Sequence, residues 1–284
     1  MSEDRTFLFS VDLEEFSAVG GNRSFRRTPL PELAERYLAF LRRHRARATF
    51  FVVGETARAF PGTIRDIAAE GHELACHTDA HRTLDRYTPA TFRDDLRRNL
   101  DALHAAVPGR IQGFRAPVLS LTERTRWAYE VLAGLGFTYS SSVLPASNPL
   151  HGWPGFGDAP VEIDGLVELP VTLARVGLLR VPIGSGTYFR CLPMGMIRRR
   201  FAALLARGTP VVGYFHPYDC DPEQERVMNE GVNGSRFFNS LLYFNRAKTM
   251  GRLDELARAG FRIEPYHEHL ARAFPHRVAA DRAV

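Results

Sequence analysis

The sequence predicts an α/β fold: a distorted (β/α)7-type barrel of mostly parallel strands, forming a single domain over residues 1–284. Three observations carry this expectation. Short apolar segments of strand length alternate with amphipathic helical segments from one end of the chain to the other. No shift in composition marks a second domain. No glycine-rich phosphate loop follows the first strand, which favours a barrel-like sheet over a doubly wound one.

Phe7 to Val11 is apolar on both faces apart from Ser10 and reads as a buried strand. Leu33 to Arg43 has helical periodicity, and Ala48 to Val53 is the next strand. A short helix over Thr63 to Glu70 stops at Gly71, and Glu73 to Cys76 is a strand. Thr88-Pro89 opens a long helix to about Val107, with proline early in the first turn, where its missing N–H costs nothing. Ile111 to Phe114 is a strand, and a helix capped by Thr122 runs to Leu135. Further strands are expected at Phe137 to Ser140, Leu166 to Thr172, Pro210 to Phe215 and Phe261 to Tyr266. Helices are expected at Pro193 to Arg207 and Arg246 to Ala259. Residues 142–160 and 219–245 read as long loops, a length that usually carries function.

A hydrophobic fraction of 45% with 24% charged residues supplies an ordinary globular core. The 37 basic and 32 acidic residues leave +5, and the densest basic knots, Arg42-Arg43-His44-Arg45 and Arg198-Arg199-Arg200, fall on expected helices. They read as solvated faces rather than a nucleic-acid patch. Three cysteines, far apart and odd in number, form no disulfide framework. Met1 to Arg5 lacks a signal-peptide pattern, and no apolar stretch is long enough to cross a bilayer, so a cytoplasmic location is expected.

Chemistry-bearing residues gather where strands end, the active face of a barrel. His77 and His81 stand four apart; on a helical turn they would share a face and could share one cation. Asp12 and Glu14 follow the first strand, and alternation puts them on one side, where one could bind metal and the other move protons. Arg115 leaves the fourth strand and could clamp a carboxylate bidentately. His216 leaves a late strand as a potential general acid. Taken singly, each also reads as ordinary structure: surface histidines, an acidic loop, a salt bridge, a core histidine.

Together, Ser10-Val11-Asp12, Gly71 to His81, Phe114-Arg115-Ala116-Pro117 and Phe215-His216-Pro217 resemble the motifs of the NodB-homology polysaccharide deacetylases, carbohydrate esterase family 4. The closest likeness is to the exopolysaccharide- and exosortase-associated subgroup. VDLEE, FRAP, Gly186-Thr187-Tyr188-Phe189-Arg190 and His216-Pro217-Tyr218-Asp219-Cys220-Asp221-Pro222 stand where that subgroup has V-D-V-E-D, F-R-A-P, G-Y-F-R and H-P-W-E-x-D-P. The likeness runs from about residue 7 to 265. Leu13 replaces the second of the family's usual adjacent aspartates, which makes Glu14 the counterpart ligand with Glu15 as the alternative.

The resemblance implies a metal-dependent hydrolase that removes an N-acyl group, most often acetyl, from an amino sugar of a polysaccharide or its carrier-linked precursor. It implies one divalent cation, zinc before other first-row metals, held by Glu14, His77 and His81. It casts Asp12 as base, Arg115 as its positioner and His216 as acid, with a bell-shaped pH profile. A carboxylate should lie against His216, from Asp219, Asp221 or another loop. A deformylase or cyclic-amide hydrolase could use the same machinery, and a glycan-binding module could keep the fold without the chemistry. An N-acylated amino sugar or glycan is the expected partner, and no nucleic acid is.

Overall fold

The computed structural model describes residues 5–16, 29–147, 151–177, 179–228 and 234–275. In chain order the elements are β1 (Thr6–Leu13), α1 (Leu30–Arg43), β2 (Thr49–Val52), α2 (Gly54–Ala59), α3 (Pro61–Ala69) and β3 (Glu73–Cys76). There follow α4 (Pro89–Ala106), β4 (Gly113–Phe114), α5 (Ala128–Ala133), β5 (Tyr139–Ser140), β6 (Val161–Ile163) and β7 (Leu166–Glu168). Then come the hairpin β8 (Ala174–Val176) and β9 (Leu179–Val181), α6 (Gly186–Cys191), α7 (Met194–Leu205) and β10 (Val211–Phe215). The chain continues through α8 (Arg236–Tyr243), α9 (Thr249–Arg258), β11 (Arg262–Glu264) and α10 (Tyr266–Ala273).

Nine strands form one curled sheet in the order β10-β1-β2-β3-β4-β5-β7-β6, with β11 also on β1. All pairings are parallel except β6 with β7. β1 is buried at every position: both its faces are packed and both its edges are paired. β10 lines one edge from Phe7 to Val11, while β11 (Thr6 to Leu8) and β2 (Ser10 to Leu13) share the other. The far side returns to β10 through Thr172, whose N–H donates to the Val212 carbonyl at 3.4 Å while its Oγ1 accepts from the Val212 N–H at 2.7 Å. The mostly parallel, barrel-like sheet expected from the sequence is thus observed.

Alternation along β1 sorts its side chains. Phe7, Phe9 and Val11 pack outward in the main core with Leu33, Tyr37 and Phe40 of α1. Leu8 faces inward with Phe51, Val212 and Tyr266, and Ser10 and Asp12 continue that inward row towards the strand's C-terminal end.

The shorter elements depart from expectation. The helix expected to span Thr122 to Leu135 is a turn of 3₁₀ helix at Glu123–Thr125 followed by α5. β6 begins just after the first of the two expected long loops, and α8 lies within the second; positions 148–150 and 229–233 lie outside the described residues. The basic knots meet acidic partners: Arg43 and His44 pair with Asp254, and Arg198 with Glu255. No described helix is long and apolar enough to cross a membrane.

Candidate active site

Every candidate residue sits at the C-terminal end of a parallel strand. β1 delivers Asp12 and Glu14, β3 delivers His77 and, through a loop, His81, β4 delivers Arg115, and β10 delivers His216. The pairing β10-β1-β2-β3-β4 brings these ends side by side, although they are 204 positions apart in sequence at the extremes, from Asp12 to His216.

The two histidines do not lie on a helix, contrary to the expectation from their spacing. His77 to His81 is a loop in which Thr78 (φ 61°) and His81 (φ 49°) take left-handed backbone conformations. Such angles are uncommon for a β-branched residue and persist only where the surroundings fix them. Here they do. The first N–H groups of α2 take the loop's carbonyls, Gly54 bonding Thr78 at 3.0 Å and Glu55 bonding Asp79 at 3.1 Å, so no helix can form through them. Asn99 of α4 donates to the Thr78 carbonyl at 2.6 Å, and Asp95 accepts from the Asp79 N–H at 2.7 Å. The imidazole rings end 5.1 Å apart, close enough to share a cation.

One ligand atom each from Glu14, His77 and His81 lies within 4.8 Å of the others. The residues present fit a divalent ion. His77 Nδ1–H donates to the Arg115 carbonyl at 2.8 Å, which leaves the Nε2 lone pair facing the cluster. Glu14 Oε2 is buried without a hydrogen bond, 3.6 Å from His77 Nε2 and in contact with His81 Nε2. Burial opposes the charge on Glu14, but His81, His77 and His216 together hold its carboxyl well below the usual range, so it is ionised. Glu15 is outside this group.

Asp12 and Glu14 converge by a route other than strand pleating. β1 ends at Leu13, and the Glu14 N–H turns back onto the Asp12 carbonyl at 3.1 Å. Asp12 Oδ1 accepts from Arg115 Nη1 at 2.6 Å, leaving Oδ2 4.0 Å from His216 Nε2.

Arg115 does not grip Asp12 bidentately as the sequence suggested. Its five N–H groups are spread over Asp12 Oδ1, Ser10 Oγ, the Ser141 carbonyl, Ser141 Oγ and the Tyr266 hydroxyl. It is fully buried and stacks over Phe51 at 4.0 Å. Burial alone would depress a guanidinium, but Asp12 and Tyr266 shift it upward, so the cation persists.

The partner of His216 is Asp219, one of the two aspartates nearest in sequence. Its Oδ2 lies 3.1 Å from Nδ1 and also accepts from the His216 N–H at 2.8 Å, capping the 3₁₀ turn Pro217–Cys220. Asp221 instead accepts from the Glu223 N–H. Burial pulls the imidazole down, yet the Asp219 hydrogen bond and the charges of Glu14, Asp219 and Asp12 carry it up to about 9. Asp219 is itself pinned by an ion pair with Arg190, which is fully buried and donates to the Phe244 and Leu242 carbonyls.

Gly186 lies against the same carboxylate: a Cβ there would come 2.0 Å from Asp219 Oδ2. Gly186→Ala is therefore expected to push Asp219 off His216 and to cost about 1–3 kcal/mol, the usual range for overpacking. Denaturant unfolding checks this; a variant as stable as the parent would contradict the close approach.

Sequence reasoning passed over Ser141 and Tyr266 as site residues, which belong to no charged or metal-ligating pattern, and met Tyr218 only as a member of the His216 to Pro222 segment, with no role attached. Arg190 was visible only as the end of the Gly186 to Arg190 segment.

Comparison with known proteins matches residues 24–139 to the polysaccharide deacetylase family model, and residues 141–270 to a domain of unknown function, DUF3473. A chitooligosaccharide deacetylase of Bradyrhizobium sp. (strain ANU 289) is 36% identical over 131 residues, 44% of this chain and 57% of that protein. The chain thus spans a little over half of that relative's length. A chitooligosaccharide deacetylase of Rhizobium leguminosarum bv. trifolii is 27% identical over 213 residues, 71% of this chain and 91% of its own. A crystal structure from Mycobacterium smegmatis, assigned as a polysaccharide deacetylase, superposes with a TM-score of 0.67 at 22% identity, covering 95% of this chain and 90% of that one. The last of these speaks to the fold alone. The candidate site straddles both matched regions: His77, His81 and Arg115 lie in the first, and Arg190, His216 and Asp219 in the second.

Proposed function

Residues 24–139 of this chain belong to the polysaccharide deacetylase family, and on that premise we propose that the protein is a metal-dependent hydrolase removing the N-acetyl group from an amino sugar of a polysaccharide or its carrier-linked precursor. One observation carries the reading. Two groups suited to opposite proton transfers, Asp12 and His216, stand 4.0 Å apart beside Glu14, His77 and His81.

Glu14, His77 and His81 would hold the cation, with zinc as the candidate that best suits two imidazoles and a carboxylate. When bound, it acidifies water and polarises the amide carbonyl. Asp12 takes the proton of the attacking water through Oδ2, while Arg115 holds Oδ1 and keeps the carboxylate oriented. His216 gives its Nε2 proton to the departing amine, a very poor leaving group without it. Asp219 on Nδ1 sets which nitrogen faces the substrate and favours the charged ring.

Acetate released from N-acetylated chitooligosaccharides, with and without chelator and with zinc restored, tests the proposal. An N-formyl substrate hydrolysed faster than the N-acetyl one would move the reading to a deformylase. Uptake of metal without turnover of any acylated amino sugar would favour a glycan-binding module. His77→Ala and Glu14→Ala are each expected to lose bound zinc, measured by elemental analysis, and Glu15→Ala to keep it. If Glu15→Ala loses metal and Glu14→Ala does not, the ligand is the next residue along.

A further inference from the structure

We propose that Tyr218 is a positioning residue for Glu14: its phenol holds Oε1, so that the carboxylate presents only Oε2 to His77 and His81. The inference rests on the reading above, in which those three residues hold a divalent cation.

The two oxygens of Glu14 have separate surroundings. Tyr218 donates its O–H to Oε1 at 2.9 Å. Oε2 is buried without a hydrogen bond and faces the two imidazoles. A carboxylate can bind a cation through one oxygen or both, and the choice changes the coordination number and the direction of the remaining open positions. A donor on one oxygen removes that freedom.

The phenol is itself held firmly. Its ring lies flat on the His216 imidazole, with centroids 4.7 Å apart and planes 8° apart, and the edge of Phe16 meets it at 5.0 Å and 75°. Arg246 caps the aromatic group, with Cζ 5.5 Å from the Tyr218 ring and 4.6 Å from that of Tyr243. The turn Pro217–Cys220 that sets Asp219 on His216 thus also sets Tyr218 on Glu14. Without the hydroxyl, Oε1 would be left beside His216 Nε2, 3.6 Å away, free to pair with the ring or to swing onto the cation.

The test uses the full chain stripped of metal and titrated with Co(II) and with Zn(II) against a chromophoric chelator. Tyr218→Phe keeps the ring and its stack, and is expected to weaken metal binding by about 10–100-fold, the usual cost of losing such a hydrogen bond behind a ligand. The visible Co(II) band should also weaken as the second oxygen joins and the coordination number rises. Tyr218→Leu removes the ring as well, and the hydroxyl should account for most of its loss of affinity. An unchanged Co(II) spectrum with affinity within about twofold of the parent overturns the inference. So does a loss seen only in Tyr218→Leu, which would make the role one of packing. If the parent protein takes up neither metal, the metal-site reading itself fails, and this inference with it.

Discussion

Asp12→Asn is expected to lower the rate of N-acetyl hydrolysis by about 10²–10⁴-fold, the range lost with a positioned base. The amide that replaces the carboxylate can still accept from Arg115 Nη1 through its carbonyl, so the geometry of the site survives while its proton acceptor does not. The substitution has a second effect. Arg115 is fully buried and Asp12 nearly so, and removing one charge of such a pair costs about 3–5 kcal/mol. The retained hydrogen bond, with those to Ser10, Ser141 and Tyr266, should keep the cost near the lower end. Steady-state turnover beside thermal melting separates the two effects. A folded Asp12→Asn with near-parental turnover would remove Asp12 from the role of base.

His216→Ala is expected to cost a comparable factor, about 10²–10⁴, but only where the leaving group needs a proton. Hydrolysis of an N-acetyl amino sugar should fall sharply, while an activated aryl acetate should be nearly spared. Equal losses on both substrates would return His216 to a structural role.

The pH profile gives an independent check. A general acid works below its pKa, so activity should fall as pH rises through that of His216. Burial lowers that pKa, whereas Asp219, Glu14 and Asp12 raise it, to about 9. A cation on Glu14 offsets part of that carboxylate's contribution, so the alkaline limb should lie no higher than about 9. Asp219→Asn removes a charge that favours the imidazolium and should shift the limb to lower pH. A limb that stays in place would mean that Asp219 does not govern the acid.

The strands were legible because each is a short apolar run ending in a polar cluster, and the barrel's active face follows from that pattern alone. The site was legible as a set of types: two carboxylates, two histidines four apart, an arginine and a late histidine. Their arrangement was not. The His77–His81 spacing fits a helix as well as a loop, and what decides between them is Gly54, Glu55 and Asn99, more than 20 positions away in two cases and invisible to local spacing. The one-point contact between Arg115 and Asp12 depends on Ser141 and Tyr266, which claim the other N–H groups across the barrel. Tyr218 could not be singled out, since a tyrosine after His-Pro carries no signal until the turn at Pro217–Cys220 aims its hydroxyl at Glu14. Asp219 was within reach because a capping carboxylate three residues after the N-cap residue, here His216, is a local feature.

β1, the first described strand in chain order, is bordered by β10 and β11, the last two described, as well as by β2. On a ribosome the strand bearing Asp12 therefore emerges with both edges open, and β2 is the one neighbour that can pair with it early. Its other neighbours arrive some 200 residues later, from the region matched to DUF3473. Long loop closure of this kind slows folding, and an unpaired apolar strand is prone to self-association. A fragment cut at the boundary between the two matched regions would keep the histidine pair yet leave an open sheet edge, so it should aggregate rather than fold as a smaller enzyme.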